Sequence, residues 1–332
     1  MNIKSVRQTA QEKLKGFCRV CPECNGRACV GEVPGMGGAG TGASFKNNVA
    51  ALAAHRINLR TLHGAKNPST RVELLGQDLA APILAAPIAG NKFNMGGALE
   101  EAEWVEAILQ GCLAEGSLGC TGDGPDPIMY SSGIEGIVKA QGRGIPFTKP
   151  REPKDILNYF KQAEDAKALA VGIDVDAAGL ISLGVGPKTT EELRTIISGT
   201  TLPVILKGIM TADEAELALQ AGAAAIVVSN HGGRVLDHTP GTAEVLPQIA
   251  AAVAGRIPVL VDGGIRSGID VLKMLALGAN AVLIGRPLVI AAYGGGAEGV
   301  ALVIRRMKNE LKQAMLLTGC ATLGAIDKNV LY

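Results

Sequence analysis

From about residue 80 onward, short apolar runs alternate with longer segments whose apolar residues recur every three or four positions. A run of four to eight apolar residues is typical of a buried strand, and the three-to-four spacing is typical of a helix. Most runs end at Gly, Asp, Asn or Ser, residues that commonly follow a strand. The pattern predicts eight strands, at residues 83–89, 112–117, 145–149, 169–174, 204–207, 224–230, 259–262 and 281–285. It predicts helices at residues 154–167, 189–197, 212–221, 242–253, 268–277 and 300–317.

Regular alternation of strands and helices predicts parallel strands joined by crossover helices. Eight such units close most simply into a (β/α)8 TIM barrel, whose functional sites lie at the carboxyl ends of the strands. A doubly wound open sheet is the rival, but the turn at residues 86–90, Ala-Pro-Ile-Ala-Gly, lacks the Gly-x-Gly-x-x-Gly of dinucleotide-binding sheets. We therefore expect an α/β protein with one barrel over residues 49–332. An N-terminal helix and a Cys/Gly-rich extension over residues 1–48 precede it.

Composition and charge exclude several classes of protein. Hydrophobic residues make up 47% of the 332 residues and charged residues 19%, which excludes a disordered chain. The net charge is +1 and aromatic residues make up only 3%, which disfavours nucleic-acid binding. The best apolar stretch, 287–304, contains three consecutive glycines and Glu298, and the N-terminus lacks the hydrophobic centre of a secretory signal. We expect a cytoplasmic protein with no nucleic-acid or membrane partner.

Four of the predicted strands end in residues that carry chemistry. The fifth ends in Lys207, and the seventh and eighth lead into Asp-Gly-Gly-Ile-Arg at 262–266 and Gly-Arg-Pro at 285–287. The sixth leads into Ser-Asn-His-Gly-Gly-Arg at 229–234, where two glycines would clear space for a bulky group between an imidazole and a guanidinium. Barrels commonly bind phosphate in the loops after the last two strands, and the planar guanidinium of Arg binds phosphate oxygens in pairs. These strand ends predict a phosphate-binding site.

These motifs, in this order, resemble those of the FMN-dependent α-hydroxy-acid oxidising enzymes, the group of glycolate oxidase, lactate oxidase and L-lactate dehydrogenase. The resemblance is strongest over residues 206–287 and extends more weakly from about Gly42 to the Gly319-Cys320 turn. It implies an enzyme that binds FMN across the mouth of the barrel and oxidises a small 2-hydroxy acid, similar to L-lactate, to the 2-oxo acid. It also implies a homo-oligomer.

The resemblance implies a role for each strand-end residue. His231 would be the general base that takes a proton from the substrate, Asp174 would orient its imidazole, and Arg234 would bind the substrate carboxylate. Lys207 would face the flavin ring, where an ammonium group stabilises the negative charge of the reduced flavin. The implied FMN-binding residues are Pro87, Ile88, Ala89, Ser117, Thr148, Lys207, Ser229, Asp262, Gly264, Arg266, Gly285 and Arg286.

The chain departs from that family in three places. A tyrosine in the N-terminal segment, a Gln-x-Tyr after the third strand and a second arginine after the fourth are absent from residues 34–38, 147–150 and 175–179. Lys149 and Lys188 are the candidates to replace the missing arginine. Two other functions stay open. One is a flavin-dependent isomerase similar to type 2 isopentenyl diphosphate isomerase, and the other is a flavoprotein that transfers electrons and has no substrate site.

Four cysteines crowd into a short stretch before the glycine-rich segment, at Cys18, Cys21, Cys24 and Cys29. Four thiolates so close together can hold a tetrahedral Zn²⁺ or an iron–sulfur cluster, and the first three follow the Cys-x2-Cys-x2-Cys spacing of ferredoxins. A group of redox-active thiols and plain packing are the alternatives. The extension is therefore a candidate for a second cofactor beside FMN.

Overall fold

The computed structural model describes residues 1–180 and 184–332. A short antiparallel hairpin, β1 Val72–Leu74 and β2 Gln77–Leu79, precedes a closed barrel of parallel strands. The barrel strands are β3 Ile83–Ile88, β4 Leu118–Thr121, β5 Ile145–Thr148, β6 Val171–Asp174, β7 Val204–Ile209, β8 Ala225–Val228, β9 Val259–Val261 and β10 Ala281–Ile284. Each strand pairs with its neighbours in the chain, and β10 pairs with β3. The prediction of a (β/α)8 TIM barrel is confirmed.

Helices surround the barrel and connect its strands. They are α1 Ile3–Lys13, α2 Ala43–Ala54, α3 Asn91–Met95, α4 Glu101–Ala114, α5 Pro127–Lys139, α6 Pro153–Asp165, α7 Thr190–Ser198, α8 Ala212–Ala221, α9 Thr242–Val253, α10 Gly268–Ala276 and α11 Arg286–Thr318. Short 3-10 turns lie at Val175–Gly179, Leu323–Ala325 and Lys328–Val330. The boundary expected at residue 48 falls inside α2.

The barrel closes because its last strand pairs with its first, with Val282 of β10 opposite Ile83 of β3. Apolar side chains fill its interior, as in other barrels of this size. Leu74 and Leu79 of the hairpin belong to the same buried cluster as Ala281, the first residue of β10. The hairpin therefore covers the N-terminal end of the barrel, and the carboxyl ends of the strands form the open mouth.

The strand predicted at residues 112–117 is wrong. Cys112 lies in the last turn of α4, one turn after Ile108 on its buried face, and the strand begins at Leu118. A short apolar run does not by itself distinguish a helix from a strand. Ser117, an expected FMN ligand, consequently lies at the start of β4, away from the mouth. Its hydroxyl donates a hydrogen bond to the carbonyl of Ile83, which corrects its assignment to the FMN site.

Helix α11 is longer than the 300–317 segment that the sequence predicts. It contains a break at Gly295 and Gly296, where the backbone of Gly296 is left-handed, with a φ of 55°. By length and composition the helix could cross a membrane, but 56% of its apolar stretch is buried inside the protein. It packs against α1, α4 and α10, as a core helix of a barrel protein does.

Helix α2 holds the loop that follows β8. The carboxylate of Asp237 in that loop accepts a hydrogen bond from the backbone N–H of Ala43, at 2.9 Å, in the first turn of the helix. The side-chain amides of Asn48 and Asn230 are buried and bond to each other in both directions, at 2.7 and 3.1 Å. Asn48 Oδ1 also accepts from the backbone N–H of Thr242 at 3.0 Å. These bonds fix the position of the loop at the mouth.

We expect Asn48→Ala to lower the free energy of unfolding by about 1–3 kcal/mol, because Asn230 and the Thr242 N–H would lose a buried partner. Urea unfolding followed by circular dichroism measures the change. Gln313→Ala, an exposed amide on α11, is the control and is expected to change the stability by less than about 0.5 kcal/mol. Equal stability of Asn48→Ala and the native chain would contradict the role of the amide pair.

Candidate functional site

A cavity of about 500 Å³ opens at the carboxyl ends of the barrel strands. Its volume lies in the range of ligand-binding pockets, about 300–1,000 Å³. The last residues of β3, the strand β7 and the loops after β3, β8, β9 and β10 bring most of the expected site residues into its wall. They are Pro87, Ile88, Ala89, Lys207, His231, Arg234, Asp262, Gly264, Arg266, Gly285 and Arg286. The structure thus brings these residues together, while their individual roles stay predictions.

Thr148 and Ser229, two of the expected FMN-binding residues, are not among the described residues that line this cavity. They contact residues of its wall instead. Both are buried at or near strand ends. The Thr148 hydroxyl donates to Oδ2 of Asp123 at 3.2 Å. The Ser229 hydroxyl accepts from the backbone N–H of His231 at 3.0 Å. The positions of these hydroxyls favour a role in holding neighbouring residues over a direct contact with a ligand.

His231 follows β8 in a sharp left-handed turn. Its φ is 57°, and Gly232 and Gly233 follow with φ of 63° and 78°. A left-handed backbone is uncommon for a residue other than glycine and is concentrated at functional sites. Nδ1 of His231 lies 3.0 Å from Oδ1 of Asp176. The prediction that Asp174 orients His231 is therefore wrong, because the 3-10 turn after β6 brings Asp176 to the imidazole.

The two glycines after His231 do not clear space for a ligand, contrary to expectation. A Cβ at Gly232 would lie 2.7 Å from Nη1 of Arg286. A Cβ at Gly233 would lie 2.4 Å from the backbone nitrogen of Phe45 in α2. The glycines are needed because a guanidinium and a helix backbone pass close to the loop.

Asp174 lies in a buried network of charges below the cavity. Its carboxylate lies 2.6 Å from Nζ of Lys149 and 3.2 Å from Nζ of Lys207, which is also 3.8 Å from Oδ2 of Asp262. Burial opposes the charge of Asp174, but the two ammonium groups outweigh it and hold its pKa well below the usual range. Burial also opposes the charge of Lys207, but Asp174, Asp176 and Asp262 outweigh it and raise the pKa of that lysine. Asp174 and Lys207 are therefore both charged at neutral pH.

Two arginines at the mouth are held by backbone carbonyls of the N-terminal extension. Arg286 donates to the carbonyls of Met36 and Gly37, at 2.8 Å each, and Arg266 donates to the carbonyl of Cys24 at 3.2 Å. Burial and the charges of neighbouring guanidinium groups lower the pKa of Arg286. The carbonyls that accept these hydrogen bonds are neutral, so they offset the positive charge of the guanidinium groups only in part. The region therefore suits an anion.

Two further cations line the cavity, at Arg234 and Lys149. Arg234 donates to the carbonyl of Gly35 and, at 2.8 Å, to Oδ1 of Asn94. Lys188, the other candidate to replace the missing arginine, is not in the wall among the described residues, and its Nζ contacts the carbonyl of Gly186 at 3.2 Å. Lys149 is therefore the candidate that the geometry favours.

Two buried polar atoms in residues of the cavity wall find no hydrogen-bond partner among the described residues. They are Oδ1 of Asp262 and Nη2 of Arg266. Burial raises the pKa of Asp262, although the ammonium group of Lys207 opposes this. A buried polar atom without a partner costs about 1–3 kcal/mol, so each such atom in a native structure calls for a partner. A ligand hydroxyl would satisfy Asp262, and an anionic oxygen would satisfy Arg266.

Asp123 and Arg151 belong to the site, and the sequence pattern gave no sign of them. Asp123 lines the cavity, and Arg151 donates to both of its carboxylate oxygens, at 3.0 and 2.9 Å. Asp123 Oδ2 also accepts from the backbone N–H of Lys149 at 3.0 Å, which fixes the start of the loop after β5. Asp123 follows β4, so the correct bounds of that strand would have marked it as a strand-end carboxylate.

The four N-terminal cysteines, here called the cysteine quartet, line a second and smaller cavity. They are Cys18, Cys21, Cys24 and Cys29, all half-buried. None of the described cysteines forms a disulfide. Arg286 and Met36 line this small cavity and the large one alike. The quartet is therefore a neighbour of the predicted phosphate site.

Comparisons with known proteins agree with this geometry. The family model described as FMN-dependent dehydrogenase matches residues 35–183 and 181–332. The chain is 37% identical over 317 residues to an L-lactate oxidase of Lactobacillus jensenii, covering 84% of this chain and 76% of that protein. It is 35% identical over 331 residues to a 2-hydroxyacid oxidase of Dictyostelium discoideum, covering 87% and 84% of the two chains. A solved structure of a mandelate oxidase variant with an FMN adduct is similar at a TM-score of 0.79 and 30% identity, covering 98% of this chain and 97% of that one. The chain belongs to the FMN-dependent dehydrogenase family and is an FMN-dependent oxidoreductase.

Proposed function

We propose that the protein oxidises a small 2-hydroxy acid to the 2-oxo acid, with FMN as the electron acceptor. The observation that carries the proposal is that His231, whose imidazole contacts Asp176, lines a cavity that Arg234 and Lys149 also line. An imidazole backed by a carboxylate is suited to act as a general base, and two cations beside it suit a carboxylate group. The relatives named L-lactate oxidase and 2-hydroxyacid oxidase support the same class of substrate.

The residues at the mouth fit FMN. Arg266 and Arg286, with the backbone at Gly264 and Gly285, would hold its phosphate. Nη2 of Arg266 has no partner in the part of the chain that the structure describes, which supports this assignment. Oδ1 of Asp262 likewise has none within residues 1–180 and 184–332, and it suits a hydroxyl of the ribityl chain. When bound, FMN supplies the acceptor for the two electrons of the oxidation.

The flavin ring would lie between the first barrel loop and a buried ammonium group. The backbone at residues 87–89 forms one side of the cavity, and Lys207 lies in its wall. The three carboxylates around Lys207 keep it charged. A fixed positive charge beside the ring stabilises the negative charge that the electrons bring.

His231 would act as the base through its Nε2 atom. Its Nδ1 lies against Asp176, so Nε2 is the nitrogen left to take a proton from the substrate oxygen or carbon. The carboxylate of Asp176 fixes the orientation of the ring and stabilises the imidazolium that forms. Asp176 is therefore a positioning residue for the base.

The substrate carboxylate would lie between Arg234 and Lys149. Lys149 would thus take the place of the arginine that this chain lacks after the fourth barrel strand. Apolar side chains line the same cavity, among them Val33, Phe93, Met129, Leu180 and Val235. An apolar wall beside two cations favours a small acid with an apolar side chain, such as L-lactate.

We expect Arg266→Ala to weaken FMN binding about 10- to 100-fold, because a charge-assisted hydrogen bond contributes about 1.5–3 kcal/mol. Titration of FMN-free protein with FMN, followed by quenching of the flavin fluorescence, measures the dissociation constant. Arg256→Ala, an exposed arginine paired with Glu216, is the matched control and is expected to bind FMN like the native chain. Unchanged affinity in Arg266→Ala would contradict its assignment to the phosphate.

The proposed reaction is tested by adding a panel of 2-hydroxy acids to the oxidised protein without oxygen. We expect at least one acid to bleach the flavin band and to yield the 2-oxo acid. Asp176→Asn is expected to slow the bleaching about 10²- to 10⁴-fold, the usual contribution of a general base and its partner. Asp165→Asn, an exposed carboxyl on α6, is the control.

The proposed reaction would be contradicted if no acid in the panel bleached the absorption band of the flavin. That result would favour the isomerase or the electron-transfer flavoprotein. An unchanged rate in Asp176→Asn would instead contradict the pairing of Asp176 with the base, and would leave the reaction itself standing.

We also propose that the cysteine quartet binds an iron–sulfur cluster. Its first three members have the spacing of the bacterial ferredoxin run. All four cysteines line one small cavity, so their thiolates can bind the same group.

The backbone around Cys18 supports a role for its sulfur as a ligand. The N–H of Val20 points at Sγ of Cys18, at 3.4 Å, and such bonds tune the potentials of iron–sulfur clusters. Val20 has a φ of 48°, which is strained for a β-branched residue. Arg7 holds this turn by donating to the carbonyls of Val20 and Cys21, at 2.9 and 2.6 Å. Strain held in place by its surroundings is typical of a functional site.

Protein purified without oxygen is expected to contain iron and acid-labile sulfide. Cys21→Ser is expected to lower the content of both, because the cluster loses a ligand. Cys320→Ser, a buried cysteine outside the quartet, is the control and is expected to keep both. Zinc in place of iron, or no metal at all, would contradict the assignment of a cluster.

A further inference from the structure

We infer that the electrons of the proposed oxidation leave the flavin site one at a time through the cysteine quartet, and that a one-electron carrier protein receives them. The inference rests on the proposed function and on a cluster at the quartet. In each turnover, a C–H and an O–H bond of the acid break and a C=O bond forms, which releases two electrons and two protons. Two carrier molecules take one electron each. The protons reach solvent, one of them by way of His231.

The first observation is that the quartet and the flavin cavity share a wall. Arg286 and Met36 line both cavities. Arg286 also donates to the carbonyl of Gly37, and the backbone of Gly37 packs against the carbonyl of Cys29. Groups at the quartet and at the flavin phosphate would therefore lie on opposite sides of one guanidinium.

The second observation is that the other side of the quartet reaches the surface. Pro22, Glu23 and Ala28, which lie between quartet members, are exposed. Val30, the residue after the last cysteine of the quartet, is 44% exposed. This exposed stretch leaves room for contact with a partner protein. A cluster here would connect the buried cofactor to the outside of the molecule.

The third observation is that the quartet lies outside the match to the family model, which begins at residue 35, and yet contacts the cofactor site. The carbonyl of Cys24 accepts a hydrogen bond from Arg266. A redox centre placed there gives this chain an acceptor route separate from the open mouth. Since a cluster transfers single electrons, a one-electron carrier is the acceptor that fits.

The test mixes the anaerobic holoenzyme with an acid that bleaches its flavin, in the presence of oxidised cytochrome c, a haem protein too large for the cavity. We expect the electron paramagnetic resonance signal of a reduced cluster to appear and the haem to be reduced. In Cys21→Ser and in Cys29→Ser, the acid is expected to bleach the flavin as before, while reduction of the haem is lost and the ratio of haem reduction to flavin bleaching falls. Cys320→Ser is expected to keep the native ratio. FMN-free protein is expected to show the cluster signal after dithionite and none after the acid.

Two results would overturn the route while leaving the proposed function intact. One is flavin bleaching with no signal of a reduced cluster, and the other is an unchanged ratio in both quartet variants. If no acid bleaches the flavin, the proposed function fails. Light-driven reduction of the flavin by EDTA then replaces the acid. The same cluster signal and the same loss of haem reduction in the quartet variants are expected, and their absence would overturn the route.

Discussion

The pairing of β10 with β3 is the contact on which the site depends, because it closes the barrel and brings all eight strand ends to one mouth. Pro87 and Arg286 are about 200 residues apart in the chain, and closure places both in the wall of one cavity. The barrel interior below is filled by apolar side chains. Charged groups are therefore confined to the mouth, where they can act on a ligand and on one another.

A buried charge is costly unless an opposite charge lies beside it, so the pairing of the charges at the mouth decides the role of each one. Asp174 is shared by Lys149 and Lys207, and removing it would leave two buried ammonium groups without their main partner. Asp174, the carboxylate expected to orient His231, is thus already paired with two ammonium groups. Asp176, two residues later, supplies the partner for His231 instead. One carboxylate holds the cations in place and the other positions the base, so the two roles do not compete.

The sequence predicted the barrel because strand and helix periods alternate strictly, and it predicted the mouth residues because each lies near the carboxyl end of a strand or just after it. The prediction from sequence failed where one local pattern is compatible with two different structures. The apolar residues around Cys112 fit a helix and a strand equally well, and the wrong choice carried Ser117 into the site. Asp174 ends the fourth barrel strand and Asp176 follows it, and only the geometry of the turn decides which of them meets the imidazole. Spacing alone does not contain that geometry.

The contacts between the extension and the mouth were beyond any local pattern, since Arg266 and Cys24 are separated by 242 positions. These contacts link the two halves of the proposed chemistry. A Cβ at Gly37 would lie 2.0 Å from the carbonyl oxygen of Cys29, so only glycine lets the two backbones pack together. The carbonyl of Gly37 in turn binds Arg286. A shift of the segment around Cys29 would therefore displace a guanidinium of the phosphate site. The backbone of the quartet and the cofactor site therefore move together.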